Sequence, residues 1–323
     1  MSTTIPTITP TTATDKAAPQ APQRRIRRLA IRTGGMVAVF TVGWFAPWLL
    51  TSCAGYQAPR DQSWQALPMP EPVGEPIEHR AIVYHSPEGY QPLALDVFLP
   101  PESVPRPVPV LLGFHGGAFH SGNRGQYHGF ARELARRGYA MVTPSYRLYG
   151  TALWPACVDD AVAAVGWVRE HADEYGFDPA RVGAMGRSAG AYLALMLATT
   201  QGADGKPLVR AAISEAGPTD LTPELWDGTM QGAFLAGFFG QHPREETSPA
   251  WRVADWTPPL LVFHGCQDTT VPFTQSYVLD IRMKSAGREM RLVPMPGTGH
   301  DPLSRNTAQG MREVFAFLDE HMK

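Results

Sequence analysis

The stretch Arg181-Val182-Gly183-Ala184-Met185-Gly186-Arg187-Ser188-Ala189-Gly190-Ala191-Tyr192-Leu193 decides how this chain is read. It starts as a short apolar run of strand type, passes through G-x-S-x-G at residues 186–190, and continues as an apolar helical stretch. Five letters of that kind recur by chance in many proteins. Between a strand and a helix they describe a turn so tight that only small residues fit beside the serine, which leaves the serine backbone strained and its hydroxyl exposed. Ser188 is therefore the first candidate nucleophile.

Outward from this point, short apolar runs and helical stretches alternate. Val110-Leu111-Leu112, Ala140-Met141-Val142, Val182 to Met185, Ala211-Ala212-Ile213, Leu260 to Phe263 and Leu292-Val293 read as strands covered on both faces. Helical stretches fall at about 126–137, 156–174, 189–200, 273–286 and 307–322. The second carries Val158, Val162, Val165 and Val168 at three- and four-residue spacing. Ahead of them, residues 79–86 and 91–99 read as two strands joined by a turn at Pro87-Glu88-Gly89. The alternation predicts an α/β fold with a mainly parallel sheet and helices on both faces. Residues 219–256 break the pattern, with Leu225, Trp226, Phe234, Leu235, Phe238, Phe239 and Trp251 interrupted by Gly and Pro. Such an insertion reads either as a small lid over a pocket or as a packing helix at the sheet edge.

A serine needs a base within hydrogen-bonding reach, and the base needs a carboxylate to hold its tautomer. When the serine sits in a strand-to-helix elbow the chain order is Ser, then Asp or Glu, then His. Asp268 follows the strand at 260–263 and His300 follows the run near Leu292. Both fall in loops at the C-terminal ends of parallel strands, where sheets of this kind place their sites. Asp301 is too close to His300 to turn back onto its ring, and His264 at a strand end reads as a loop brace. His115-Gly116-Gly117-Ala118-Phe119, after the strand at 110–114, resembles an HGGG-type oxyanion loop with Ala118 in place of the last glycine. That resemblance assigns the oxyanion donors to the amides of Gly117, Ala118 and Ala189. The Rossmann spacing G-x-G-x-x-G is absent.

Further ordered matches are Tyr146-Arg147-Leu148, Trp154-Pro155 with Asp159-Asp160, and Phe177-Asp178-Pro179. With these, residues 80–320 resemble the HGG-motif esterases of the α/β-hydrolase superfamily. That group includes hormone-sensitive-lipase-like and feruloyl-esterase-like hydrolases and kynurenine formamidases. The resemblance implies a serine carboxylesterase acting on a small-molecule ester, with Ser188, Asp268 and His300 as its triad and no cofactor. Arg187 departs from the more usual Asp, Gly or His before the serine. It is a candidate for substrate contact or an ordinary surface side chain. Phe119, Phe234, Phe238 and Trp226 are candidates for lining an apolar pocket or for plain core. The same machinery would serve a small-amide or peptide hydrolase, and a non-catalytic binding protein on this fold is a third reading that an intact triad disfavours.

Composition narrows the field. The chain has 323 residues, 18% charged, with a net charge of −2, and Lys and Arg form no dense stripe in the region after the N-terminal segment. Nothing there suits nucleic acid. No H-E-x-x-H or clustered Cys/His spacing points to a metal. Oligomeric state is not readable from these features.

The N-terminus is different in kind. Residues 1–23 are Thr-, Pro- and Ala-rich. Arg24, Arg25, Arg27, Arg28 and Arg32 then precede an uncharged apolar stretch from Thr33 to Ser52, the pattern of an export signal. Leu50-Thr51-Ser52-Cys53 resembles the lipobox of bacterial lipoproteins. That resemblance implies lipidation of Cys53, a membrane anchor and a location in the bacterial cell envelope. An uncleaved signal anchor is the alternative, and the adjacent arginines match the twin-arginine motif poorly. Residues 54–78 read as a Pro-rich tether and 79–323 as the catalytic domain. Of the remaining cysteines, a bridge between Cys157 and Cys266 is disfavoured because they fall on separate loops.

Overall fold

The computed structural model describes Cys53, Leu67 and residues 69–222, 230–305 and 307–323. Its centre is an eight-stranded sheet of order β1-β2-β4-β3-β5-β6-β7-β8. The strands are β1 (Ile77–His85), β2 (Leu93–Leu99), β3 (Val108–Phe114), β4 (Ala140–Pro144), β5 (Phe177–Arg187), β6 (Ala211–Glu215), β7 (Leu260–Gly265) and β8 (Met290–Met295). β1 pairs antiparallel with β2, and β2 antiparallel with β4; every later pairing is parallel. The turn at 87–90 closes the first hairpin, with Tyr90 N donating to the Pro87 carbonyl at 3.1 Å.

The continuous apolar runs are explained by what covers them. Leu112 and Val110 face one side of the sheet, packing with Val142, Val158, Val165 and Leu193. Leu111 faces the other, with Met141, Met185, Ile213, Phe315 and Leu318. A two-residue side-chain period splits one apolar run between two cores. Helices α1 (His128–Ala135), α2 (Ala156–Glu170), α3 (Ala172–Tyr175) and α4 (Ala189–Ala198) follow the first strands. α4 is buried at every position, so it is apolar all round and not amphipathic. The stretch expected as one helix at 156–174 is two, because His171 leaves helical geometry between α2 and α3.

The insertion after β6 holds α5 (Met230–Phe239) and the short α6 (Arg244–Thr247). It is tied to the body at several points. Tyr192 Oη donates to the Thr247 carbonyl at 2.9 Å, and Leu221 N donates to Ser248 Oγ at 2.8 Å. Ala250 N donates to the Thr219 carbonyl at 2.9 Å. Its described residues are thus packed against the sheet's helices. α7 (Thr274–Ser285), α8 (Pro302–Arg305) and α9 (Thr307–Met322) complete the chain.

Two observations bear on the N-terminal side. The described end of the Pro-rich tether is docked: Val73 N donates to the Arg136 carbonyl at 2.6 Å, and Arg137 Nε to the Pro70 carbonyl at 2.7 Å. Cys53, expected to carry a lipid, is bonded to Cys266. A sulfur in a disulfide has no thiol left to form a thioether, so this arrangement and lipidation of Cys53 exclude each other. Cys157 is a free buried thiol whose pKa burial pushes up, which makes it inert packing.

Candidate active site

Ser188 follows β5 directly and precedes the first turn of α4, with φ 54° and ψ −118°. This is the left-handed strain expected of an elbow, worth about 1–3 kcal/mol and sustained by the surrounding packing. Small neighbours are required there. A methyl group on Gly190 would overlap the backbone carbonyl of Phe114 at the end of β3. Gly190→Ala is accordingly expected to destabilise the fold by about 3 kcal/mol, since neither backbone can retreat without opening the β3–β5 pairing. Urea denaturation checks this; a midpoint equal to wild type would refute it.

The loop after β3 lies against the elbow. A methyl built on Gly116 would stand 3.6 Å from Ser188 Cβ. Ala118 and Phe119 have φ of 52° and 60°. Alanine at the fourth position of the motif, where φ is positive, therefore costs about 1 kcal/mol of backbone strain relative to glycine. The loop is braced from below. His115 is buried, stacks on Tyr146 at 4.3 Å between ring centroids, and sits with Nδ1 2.9 Å from the Gly116 carbonyl. Burial lowers the His115 pKa and favours the neutral ring, although the Gly116 bond works the other way. Tyr146 Oη donates to the His115 carbonyl at 2.7 Å. Asp160 accepts from Arg147 N at 2.8 Å and from Arg147 Nη2 at 2.8 Å. Two motifs far from the serine in sequence thus meet to hold the oxyanion-type loop in place.

Asp268 and His300 come together as expected from their positions after β7 and β8. His300 Nδ1 lies 2.8 Å from Asp268 Oδ2. The other carboxylate oxygen accepts from Thr270 N at 2.8 Å and Val271 N at 2.9 Å. Burial opposes ionisation of Asp268, but hydrogen bonds from His264 and His300, the charge on His300 and the Val271 amide more than offset it. Its pKa is held well below the usual carboxylate range. With Asp268 ionised, the bond requires the proton on Nδ1, which leaves the Nε2 lone pair free to act as a base. His264 braces this loop: Nε2 donates to the Val271 carbonyl at 2.8 Å, so Nδ1 accepts from Ser276 Oγ at 2.6 Å. The Asp and His loops are also joined by Gln267 N donating to the Thr298 carbonyl at 2.9 Å.

Arg187 is not free. It pairs with Asp301, which ties the residue before the serine to the residue after the histidine. Phe119 and Phe238, considered as substrate contacts, are sealed in the core. Their rings stack at 4.7 Å, and they are 2% and 1% exposed. Both belong to the core cluster that includes Tyr192 and Phe239. Phe234 is half-buried beside Tyr149, with centroids 5.2 Å apart, and stays a candidate. Trp226 lies outside the described residues. Among those described, Glu289, Glu320 and His321 bring three ligand atoms within 4.8 Å of one another. That group sits by the start of β8, at the opposite end of the sheet from the triad loops.

A serine elbow at the end of β5, in a parallel sheet whose first two strands run antiparallel, is the arrangement of an α/β-hydrolase. The BD-FAE family model matches residues 95–283, and the chain belongs to that family. It is 27% identical over 262 residues to the esterase LipC of Mycobacterium tuberculosis, covering 73% of this chain and 64% of that protein. With the esterase LipQ of the same organism it shares 32% over 222 residues, covering 63% of this chain and 52% of that protein. The chain thus spans less than two thirds of the length of these curated relatives. Among solved structures, the propionate-bound thermophilic esterase Est2 of Thermogutta terrifontis superposes with a TM-score of 0.64 at 28% identity. That match covers 74% of this chain and 93% of that one.

Proposed function

We propose that this chain is a serine carboxylesterase. The observation that carries the reading is the 2.8 Å contact from His300 Nδ1 to a buried, ionised Asp268, on a loop tied by Asp301 to the residue preceding a strained Ser188. His300 takes the proton from Ser188 Oγ as the oxygen attacks the ester carbonyl. The amides of Gly117, Ala118 and Ala189 hold the oxyanion, and collapse expels the alcohol with the proton from His300. Water activated by the same histidine then attacks the acyl-enzyme and releases the acid. The similarity to a propionate-bound esterase supports short acyl groups as the first substrates to try.

A series of p-nitrophenyl esters from acetate to octanoate, run beside matched p-nitroanilides, tests this. Hydrolysis of short esters and a fluorophosphonate adduct on the Ser188 peptide are expected. An adduct on another residue, or no turnover of any ester, would sink the proposal; faster anilide than ester cleavage would turn it into an amidase.

We further propose that the domain works outside the cytoplasm. The arginine cluster at 24–32 with its apolar stretch, and the Cys53–Cys266 bond, both support an oxidising compartment. A non-reducing digest of the exported protein is expected to contain a peptide joining Cys53 to Cys266. Reduction is expected to cost about 2–5 kcal/mol of stability, since the bond closes a loop of 213 residues. Palmitate incorporation at Cys53 would contradict the disulfide assignment.

A further inference from the structure

Beneath the elbow is a charged side chain that the mechanism above does not use. Glu215 ends β6, a strand buried throughout, and is 6% exposed. A carboxylate in such a place needs a reason. Its two ends do different things. Its backbone carbonyl accepts from Ser188 N at 2.8 Å, on the side where β6 pairs with β5. Its side-chain Oε1 accepts from Leu303 N at 3.0 Å, in the first turn of α8, three residues after His300. One residue therefore holds the amide of the nucleophile and the segment carrying the base.

The other constraints on the histidine loop show why this bond matters. On the β7 side it is held by Asp268 and by the bond from Gln267 N to the Thr298 carbonyl. On the elbow side two links are seen. Arg187–Asp301 joins side chains 36% and 51% exposed, where water and salt weaken an ion pair. The Glu215–Leu303 bond is part-buried and ends on a carboxyl only 6% exposed, so solvent screens it less. Leu303 also packs against this face, but Glu215, Leu303, Met185 and Met311 line an open pocket of about 430 Å³, so the packing around the link is incomplete. The directed bond from Leu303 N to Glu215 therefore adds to partial packing in setting the spacing between elbow and α8.

We propose that Glu215 is a positioning residue: its carbonyl fixes Ser188 and its carboxyl fixes the His300 segment, which sets the distance between nucleophile and base. This rests on reading Ser188 and His300 as the reacting pair. The electrostatic surroundings are consistent with a residue kept for its geometry. Burial raises the Glu215 pKa to about 7, against the Leu303 amide and the charges of Arg187 and His300, with Asp301 adding to the rise. The buried Tyr127 hydroxyl faces the same group. Protonated or not, the carboxyl keeps an oxygen that accepts from Leu303 N, so the brace survives across neutral pH.

The test compares Glu215→Gln, Glu215→Leu and Glu215→Asp in the full chain on a short p-nitrophenyl ester, with kcat, KM and thermal midpoint measured for each. Gln keeps an acceptor oxygen at the same reach, so its kcat is expected within about threefold of wild type. Leu removes the acceptor, and Asp withdraws it by one carbon. Each is expected to lower kcat by about 10- to 100-fold with KM within about twofold, as for a base displaced by a fraction of an ångström. Should the Leu variant not fold, the Asp variant decides, since it retains the charge. Wild-type kcat in Asp, an equal loss in Gln and Asp, or a change confined to KM would each overturn the proposal. Inactive wild type would instead count against the esterase reading itself.

Discussion

Ser188→Ala is expected to lower kcat for ester hydrolysis by about 10⁴- to 10⁶-fold and to abolish fluorophosphonate labelling. The variant removes only the hydroxyl oxygen. Backbone strain at φ 54° stays, Ser188 N still donates to the Glu215 carbonyl, and α4 keeps its buried first turn. Stability should be close to that of wild type, so the loss reads on chemistry alone. The residual rate would come from substrate binding and the oxyanion donors. Retention of more than a few per cent of activity, in protein free of wild-type contamination, would show that another group is the nucleophile.

Asp268→Asn is expected to lower kcat by about 10⁴-fold at neutral pH. The Asn carbonyl would keep the bonds from Thr270 N and Val271 N, which turns the NH2 group toward His300 Nδ1. Nδ1 must then accept, the ring proton moves to Nε2, and the lone pair needed by Ser188 is gone. Stability should change in a definite sense as well. A carboxylate whose folded pKa is depressed contributes stability above its ordinary value of about 4, and that stability is lost as pH falls through the lowered value. The Asn variant should therefore show a shallower loss of stability in acid, measured by urea denaturation between pH 3 and 7. Activity within tenfold of wild type would remove Asp268 from the triad.

These variants differ in how visible their targets were. Ser188, Asp268 and His300 could be placed because a strand-end loop in an α/β sheet is marked by local signals: an apolar run, then small or polar residues. Glu215 could not be assigned a role in that way. Its only mark is a charge at the end of a short strand, and the partner that gives it meaning, Leu303 N, is a backbone amide 88 residues away. Arg147 and Asp160 were visible as motif letters, but not as the brace under the His115 loop.

The sequence by itself determined the alternation of strands and helices, the elbow and the order of the triad. The first two follow from periodicity and residue size within a dozen positions, and the third from the chain order that a serine elbow implies. Only the tertiary structure decided the fates of residues whose environment comes from distant chain. Phe119 and Phe238 look the same in sequence whether they line a pocket or fill a core, and stacking on each other made them core. Arg187 looked free to meet substrate until Asp301 paired with it. Cys53 stood in a lipobox-like context, yet its sulfur bonds to Cys266, 213 residues on and two before Asp268. The strained serine was legible because its constraints are local. What holds its partners at the right distance was not, because those bonds cross the sheet.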